Sequence, residues 1–173
     1  MALPRTLRIL NKPATQGQGH ADVVGMLAFD IVRNPKITLA RIHASQIADR
    51  ANPRAEALDQ MFGYLARRSK YADGTYSPAP GGQVMLDVRM LRALLELSRC
   101  YTLAVAEFAG GCHATTAHYQ GVAFDVNYID GIKVGVTHPS YREFVQDCHE
   151  LGATKVIGPP SRAHATHVHA QWG

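Results

Sequence analysis

The chain has 173 residues, of which 46% are hydrophobic and 18% are charged, and its formal net charge is +4. A chain of this length buries roughly 70% of its unfolded surface, so it can fold as one domain without disulfides. The composition excludes a disordered chain, and no apolar run approaches the roughly 18 residues that a transmembrane helix needs. The positive charge suits an anionic partner, but no nucleic-acid motif accompanies it, so we expect no nucleic-acid binding.

Cysteine usage and the first residues bear on redox state and export. The three cysteines, Cys100, Cys112 and Cys148, are an odd number without C-x-x-C spacing. This pattern argues against a disulfide framework and against a four-cysteine zinc site. No apolar segment of about 7–15 residues follows Arg5 and Arg8, so we recognise no Sec signal.

The predicted elements combine helices with short strands. Residues 1–20 are expected to form a flexible arm, and residues 21–173 a single domain. Apolar spacing and helix start and stop signals predict helices over 21–32, 53–68, 88–99 and 139–151. Extended segments are predicted over 37–42, 101–108, 122–128, 155–157 and 163–172, with a loop over 71–82. Helices packed on a mainly antiparallel sheet define an α+β fold.

Two predicted helices have specific start signals. Asn52 followed by Pro53 predicts an N-cap and a first turn, and Asp87 predicts the N-cap of the next helix. In the helix that follows Asn52 we expect one buried apolar face, made by Leu58, Met61, Phe62 and Leu65. The single tryptophan, Trp172, is expected to close the hydrophobic core.

The residues best suited to chemistry lie in two short segments. His118 and Asp125 are seven positions apart, with Gly121 between them, and His167 and His169 are two positions apart. Glycine allows a tight turn between the first two residues. Because alternate residues of a strand share a face, His167 and His169 are expected to point the same way.

Pairing of two predicted strands would assemble these residues. If segments 122–128 and 163–172 are antiparallel neighbours with aligned polar faces, Asp125 lies next to His169. His118 would then reach them from the loop before the first of these strands. Two imidazoles and one carboxylate are a ligand set that a catalytic zinc accepts while a fourth position stays open for water.

Residues 116–125, Thr-Ala-His-Tyr-Gln-Gly-Val-Ala-Phe-Asp, resemble a known family signature. It is the Ser-x-His-x-x-Gly-x-Ala-x-Asp pattern of the D-Ala-D-Ala carboxypeptidase and hedgehog-type zinc peptidases. His167-Val-His169 is similar to the His-x-His that closes the metal site in this superfamily, which includes murein endopeptidases and phage endolysins. The resemblance covers about half of the chain.

The resemblance implies roles for these residues. It implies that His118, Asp125 and His169 bind zinc, and that His167 is a non-ligand residue that faces the substrate or the water. Thr116 takes the position of the serine in the signature. Thr116 is therefore a candidate substrate-binding residue, and so is His113, which lies five positions before the first ligand.

Two positions depart from the family pattern. Thr166 occupies the position of a glutamate that acts as general base in many relatives, which makes His167 the expected proton-transfer residue. Segment 106–113 lacks the arginine with which relatives bind a peptide carbonyl or a terminal carboxylate. We therefore favour an endopeptidase over a D-Ala-D-Ala carboxypeptidase. The alternative arginines for this role are Arg89, Arg92 and Arg162.

The expected function is thus a zinc-dependent peptidase that hydrolyses peptidoglycan peptides. Such a hydrolase acts at the cell wall, and without a Sec signal it would be exported or released by another route. Two alternatives stay open. One is a hedgehog-like zinc-binding module without catalysis, which Thr166 favours and His167 opposes. The other is a non-peptidase metallohydrolase that uses the same centre on a different amide or ester.

Overall fold

The computed structural model describes residues 18–43, 46, 49–71, 78–110 and 116–173. These residues form an α+β fold, as predicted, with four α-helices and eight strands. The helices are α1 (Gln18–Arg33), α2 (Pro53–Met61), α3 (Val88–Cys100) and α4 (Tyr141–Glu150). The strands are β1 (Ile37–Leu39), β2 (Ala66–Arg67), β3 (Gln83–Val84), β4 (Leu103–Glu107), β5 (Ala123–Ile129), β6 (Ile132–Lys133), β7 (Lys155–Ile157) and β8 (Val168–Gln171).

Six strands form one mixed sheet that is mainly antiparallel. Its order is β1-β4-β5-β8-β7, and β6 pairs with β5 in a hairpin. Only the pair of β1 with β4 is parallel. Strands β2 and β3 form a separate two-stranded antiparallel sheet. The strand β5 therefore has a neighbour on each side along most of its length.

The hydrophobic core combines residues of α1, α3 and α4 with residues of the large sheet. Its main members are Met90, Leu91, Leu94, Leu97, Leu103, Val105, Phe124, Val126, Ile129 and Trp172. The ring of Trp172 packs on that of Phe124 with centroids 5.2 Å apart, and its Nε1 donates to the carbonyl of Leu151 at 3.1 Å. The prediction that Trp172 closes the core is confirmed, because the residue is 1% exposed.

Both predicted helix caps are confirmed. The side chain of Asn52 accepts a hydrogen bond from the backbone N–H of Ala55 at 3.0 Å. The Asp87 carboxylate accepts from the N–H of Arg89 at 2.7 Å. Each cap satisfies a backbone donor that has no partner inside its helix.

The predicted apolar face of α2 is wrong. The helix ends at Met61, and Gly63 then adopts a positive φ of 82°, so the chain turns away instead of continuing to residue 68. Phe62 and Leu65 are exposed as a result. The buried residues of the helix are Pro53, Glu56, Ala57 and Gln60. Gln60 and Glu56 are polar, and each accepts a hydrogen bond from a backbone N–H group outside the helix. Gln60 accepts from Leu86, and Glu56 accepts from Ala109.

Other element boundaries differ at the ends. Helix α1 begins at Gln18, inside the segment predicted as an arm. The last strand begins at Val168, because Arg162–His164 form a 3₁₀ turn instead of extended chain. Cys100 and Cys148 are free thiols, and Cys112 lies outside the described residues. None of the helices in the described part of the chain has the length and apolarity that a membrane crossing requires.

Candidate metal centre

The pairing of β5 with β8 brings Asp125 and His169 side by side. The two residues are direct partners across this antiparallel pair. His169 Nδ1 lies 2.9 Å from Asp125 Oδ1. The adjacency predicted from strand alternation is therefore confirmed. The residues on either side of Asp125, Phe124 and Val126, point to the opposite face and belong to the core.

His118 joins this pair from the turn that precedes β5. Its Nε2 lies 3.0 Å from Asp125 Oδ1 and 3.0 Å from His169 Nδ1. Gly121 closes the turn with a φ of +73° and donates its N–H to the His118 carbonyl at 2.8 Å. All three side chains are buried. His118, Asp125 and His169 thus form a possible metal-binding triad whose donor atoms face one another.

In His118 and His169, the outer ring nitrogen, which is the one that does not face Asp125, lies within hydrogen-bond distance of a neighbouring oxygen atom. His118 Nδ1 lies 2.7 Å from the Phe108 carbonyl oxygen, and His169 Nε2 lies 3.2 Å from Gln171 Oε1. Because these oxygens only accept hydrogen bonds, the outer nitrogens carry hydrogen. The inner nitrogens are then directed at Asp125, as in metal sites where an outer partner sets the imidazole orientation. The chemistry and orientation of these donors therefore fit a bound cation.

The electrostatics of the triad also favour a positive charge. Burial lowers the pKa of His118, but the charge and hydrogen bond of Asp125, with the charge of Glu107, raise it to about 10. Burial acts to raise the pKa of Asp125, yet the charges and hydrogen bonds of His118 and His169 hold it well below its usual range. The centre is thus built around an ionised carboxylate.

His167 lies beside the triad without being one of its three members. Its Nε2 is 3.4 Å from Asp125 Oδ2, and its side chain is 20% exposed, about twice as much as those of the triad histidines. Burial lowers the pKa of His167, and the charges of His169 and His118 lower it further against the opposing effect of Asp125. The environment of His167 therefore favours the neutral imidazole, and the side chain is partly exposed to solvent.

His164 was not predicted as a site residue, but it lies on the same side of the site as His167. Its ring centroid is 4.9 Å from that of His167 and 5.7 Å from that of His169. The predicted strand over 163–172 would have placed His164 on the opposite face. The 3₁₀ turn of Arg162–His164 removes that alternation. The signal in the sequence was the spacing His-x-x-His-x-His.

The remaining predicted residues have different positions. Thr116 Oγ1 accepts a hydrogen bond from the Tyr119 N–H at 3.3 Å, so Thr116 helps to form the turn that carries His118. His113 lies outside the described residues. Arg89 is exposed and pairs with Asp87 at 2.7 Å, whereas Arg162 lies on the 3₁₀ turn next to the site and Arg92 is half-buried on α3.

Two further groups, Glu107 and Arg68, lie near the site through contacts that the sequence did not predict. Glu107 is buried, and it lies opposite Asp125 in the antiparallel pairing of β4 with β5. Arg68 lies over the ring of Tyr119, with 5.0 Å between the guanidinium carbon and the ring centroid. The sequence had placed Arg68 at the end of a helix, where no contact with the turn of His118 was expected.

Comparisons with protein-family models, with curated proteins and with solved structures found no match to this chain.

The turn that carries His118 should tolerate no side chain at Gly121. A Cβ there would lie 2.6 Å from the Met85 carbonyl oxygen. We expect Gly121→Ala to lower the free energy of unfolding by at least about 2 kcal/mol, from the left-handed backbone and from the clash together. Gly131→Ala is the matched control, since Gly131 has a φ of +76° but no heavy atom within 4 Å of the added Cβ.

The control should cost about 1 kcal/mol, from the backbone conformation alone. Urea denaturation followed by circular dichroism measures both values. Equal losses in the two variants would show that close packing around the turn that carries His118 contributes nothing to the free energy of unfolding.

Proposed function

We propose that this chain is a zinc-dependent metallopeptidase that hydrolyses peptidoglycan peptides, with an endopeptidase activity. The observation that carries the proposal is the convergence of His118 Nε2, His169 Nδ1 and Asp125 Oδ1, separated by 3.0 Å or less. The choice of peptidoglycan as substrate is supported by the sequence signature alone. On this proposal the protein acts at the cell wall and takes part in its degradation.

The triad supplies the ligands of a catalytic zinc. Two nitrogen donors and one oxygen donor leave a fourth tetrahedral position for water or substrate. Zinc held there would supply a Lewis acid and would lower the pKa of a bound water to about 7. The role of the chain is to hold the donors in place: β5 supplies Asp125, β8 supplies His169, and the preceding turn supplies His118.

His167 is placed to transfer protons. It lies at the solvent side of the triad, 3.4 Å from Asp125 Oδ2. A neutral imidazole can accept a proton from the attacking water and deliver it to the leaving amine. Thr166 has no acidic group, so it cannot act as the general base. The ring of His164 lies beside that of His167, with 4.9 Å between the ring centroids.

An internal peptide bond is the favoured substrate. The described part of the loop after β4, residues 108–110, contains no arginine. Glu107 is buried next to Asp125, and its negative charge acts on His118. A substrate carboxylate near this position would be repelled and left unpaired, which is costly in a buried site. This arrangement favours a substrate whose scissile bond lies away from a free C-terminus.

We predict one zinc ion per chain, bound by the triad. Replacement of His118 or His169 by Ala should abolish binding, because two protein ligands are too few for a stable catalytic zinc site. His149→Ala is the control, since His149 is exposed on α4 and its Nδ1 lies 3.2 Å from the Ala153 carbonyl oxygen, away from the triad. Elemental analysis and zinc titration measure the stoichiometry. A wild-type protein that takes up no zinc would disprove this part of the proposal.

A second prediction separates the proton-transfer residue from the ligands. His167→Ala should retain zinc but lower kcat by roughly 10²–10⁴-fold, the usual contribution of a general acid–base group. Zymography on purified sacculi, with and without a chelator, gives the activity, and His149→Ala again serves as control. Near-full activity would assign proton transfer elsewhere. Zinc binding without hydrolysis by the wild-type chain would favour the hedgehog-like binding module.

The preference for an internal bond is tested with defined muropeptides. We expect cleavage of a cross-linked dimer or of an internal stem-peptide amide, in preference to release of terminal D-Ala from a pentapeptide. Mass spectrometry of the products distinguishes these reactions. Release of D-Ala with intact dimers would show that another arginine binds the terminal carboxylate. Hydrolysis of other amides or esters alone would favour a non-peptidase metallohydrolase.

A further inference from the structure

One peptide group lies between a buried carboxyl group and a candidate metal ligand. This peptide joins Phe108 to Ala109, directly after β4. Its N–H, on Ala109, donates to Glu56 Oε2 at 3.2 Å. Its carbonyl oxygen, on Phe108, accepts from His118 Nδ1 at 2.7 Å. Because a peptide group is planar, Glu56 and His118 are connected through opposite ends of one rigid unit.

Glu56 reaches this peptide from α2, which contributes none of the triad residues. Its side chain is fully buried, and among the described residues no hydrogen-bond partner reaches its Oε1. Burial raises the pKa of Glu56 well above its usual range, against the effect of the Ala109 hydrogen bond. A buried carboxyl group that is only partly satisfied costs free energy. Stability alone therefore does not account for a carboxyl group at this position.

We propose that Glu56 is a positioning residue that acts on His118 through the Phe108–Ala109 peptide. Its oxygen holds the Ala109 N–H and so orients the peptide, and the Phe108 carbonyl in turn keeps hydrogen on Nδ1 of His118. Nε2 of His118 then faces Asp125 and His169, the two residues with which it would hold the metal. The effect on metal affinity rests on the zinc binding proposed above, whereas the effect on the imidazole does not.

Two features of hydrogen-bonded chains explain how this relay would work. Donation of the N–H to a carboxyl oxygen polarises the peptide and makes its carbonyl a stronger acceptor. A stronger acceptor at Nδ1 fixes the tautomer and makes Nε2 a better metal ligand. The arrangement resembles the direct carboxylate–histidine–metal contact of many metal sites, with a peptide group inserted between carboxyl and imidazole.

The relay predicts that the reach of the side chain matters more than its charge. Glu56→Gln keeps an oxygen at the same distance from Ala109 but has no charge. Glu56→Asp keeps the carboxyl group but withdraws its oxygens by one methylene, which breaks the 3.2 Å contact. If Glu56 instead attracted the cation by its charge alone, Glu56→Asp would preserve zinc affinity and Glu56→Gln would weaken it.

The zinc Kd of each variant is measured in the full chain by competition with a chromophoric chelator. We expect Glu56→Gln to stay within about 3-fold of wild type and Glu56→Asp to bind about 10-fold more weakly, the lower end of the effect of an outer-shell partner. Asp147→Asn is the control. Asp147 lies on α4, and its buried carboxyl group accepts a hydrogen bond from the Tyr101 hydroxyl group at 2.6 Å. This variant should lower the free energy of unfolding and leave the Kd unchanged.

A second readout needs no metal. In the metal-free protein, ¹⁵N NMR of the His118 ring should show hydrogen on Nδ1, and that hydrogen should exchange with water faster in Glu56→Asp than in wild type or Glu56→Gln. Unchanged exchange and unchanged Kd in Glu56→Asp would overturn the proposal, as would the reverse order of the two variants. If wild type binds no zinc, the proposed function fails, and the NMR comparison alone decides the role of Glu56.

Discussion

The candidate metal centre depends on the register between β5 and β8. Asp125 and His169 meet because they are direct partners in this antiparallel pair. A shift of one residue would turn every side chain of one strand to the other face of the sheet. That shift would place Phe124 or Val126 beside His169 and would expose apolar residues that now form the core. The geometry of the site and the burial of the core therefore enforce the same register.

This coupling has an energetic consequence for the triad. Phe124 and Trp172 pack together on the opposite face of the strands that carry the ligands. Since protein cores are closely packed, these side chains allow little movement of the strands. Asp125 and His169 are thus held on a rigid support before any metal binds. A rigid support of this kind would keep the two candidate ligands near the geometry that a metal site requires.

Sequence patterns predicted the parts of the site that follow from local rules. Period-two spacing predicted that His167 and His169 share one face. Gly121 predicted a tight turn between His118 and Asp125. The caps at Asn52 and Asp87 were equally local, since each side chain bonds a backbone N–H within its own first turn. The adjacency of Asp125 and His169 was predicted for the case that these two strands are antiparallel neighbours with aligned polar faces, and the structure has this pairing.

Non-local contacts explain what the sequence did not reveal. The buried face of α2 was predicted from hydrophobicity, whereas it is determined by backbone groups that Gln60 and Glu56 satisfy at distant positions. His164 was misplaced because periodicity cannot distinguish a 3₁₀ turn from the start of a strand. The position of Glu107 beside Asp125 depends on the β4–β5 register, which contains irregularities that no local pattern indicates.

His118 shows how such distant contacts determine the position of a residue in the candidate metal centre. His118 lies on a turn rather than a strand, and turns are less rigid than sheets. Its neighbour Tyr119 compensates for this, because its buried hydroxyl group lies 3.1 Å from the Ser69 carbonyl and 3.2 Å from that of Gly81. Both partners belong to the segment that connects β2 and β3. The ends of the segment that connects these two strands therefore hold the turn through Tyr119, and the Phe108 carbonyl holds the His118 ring.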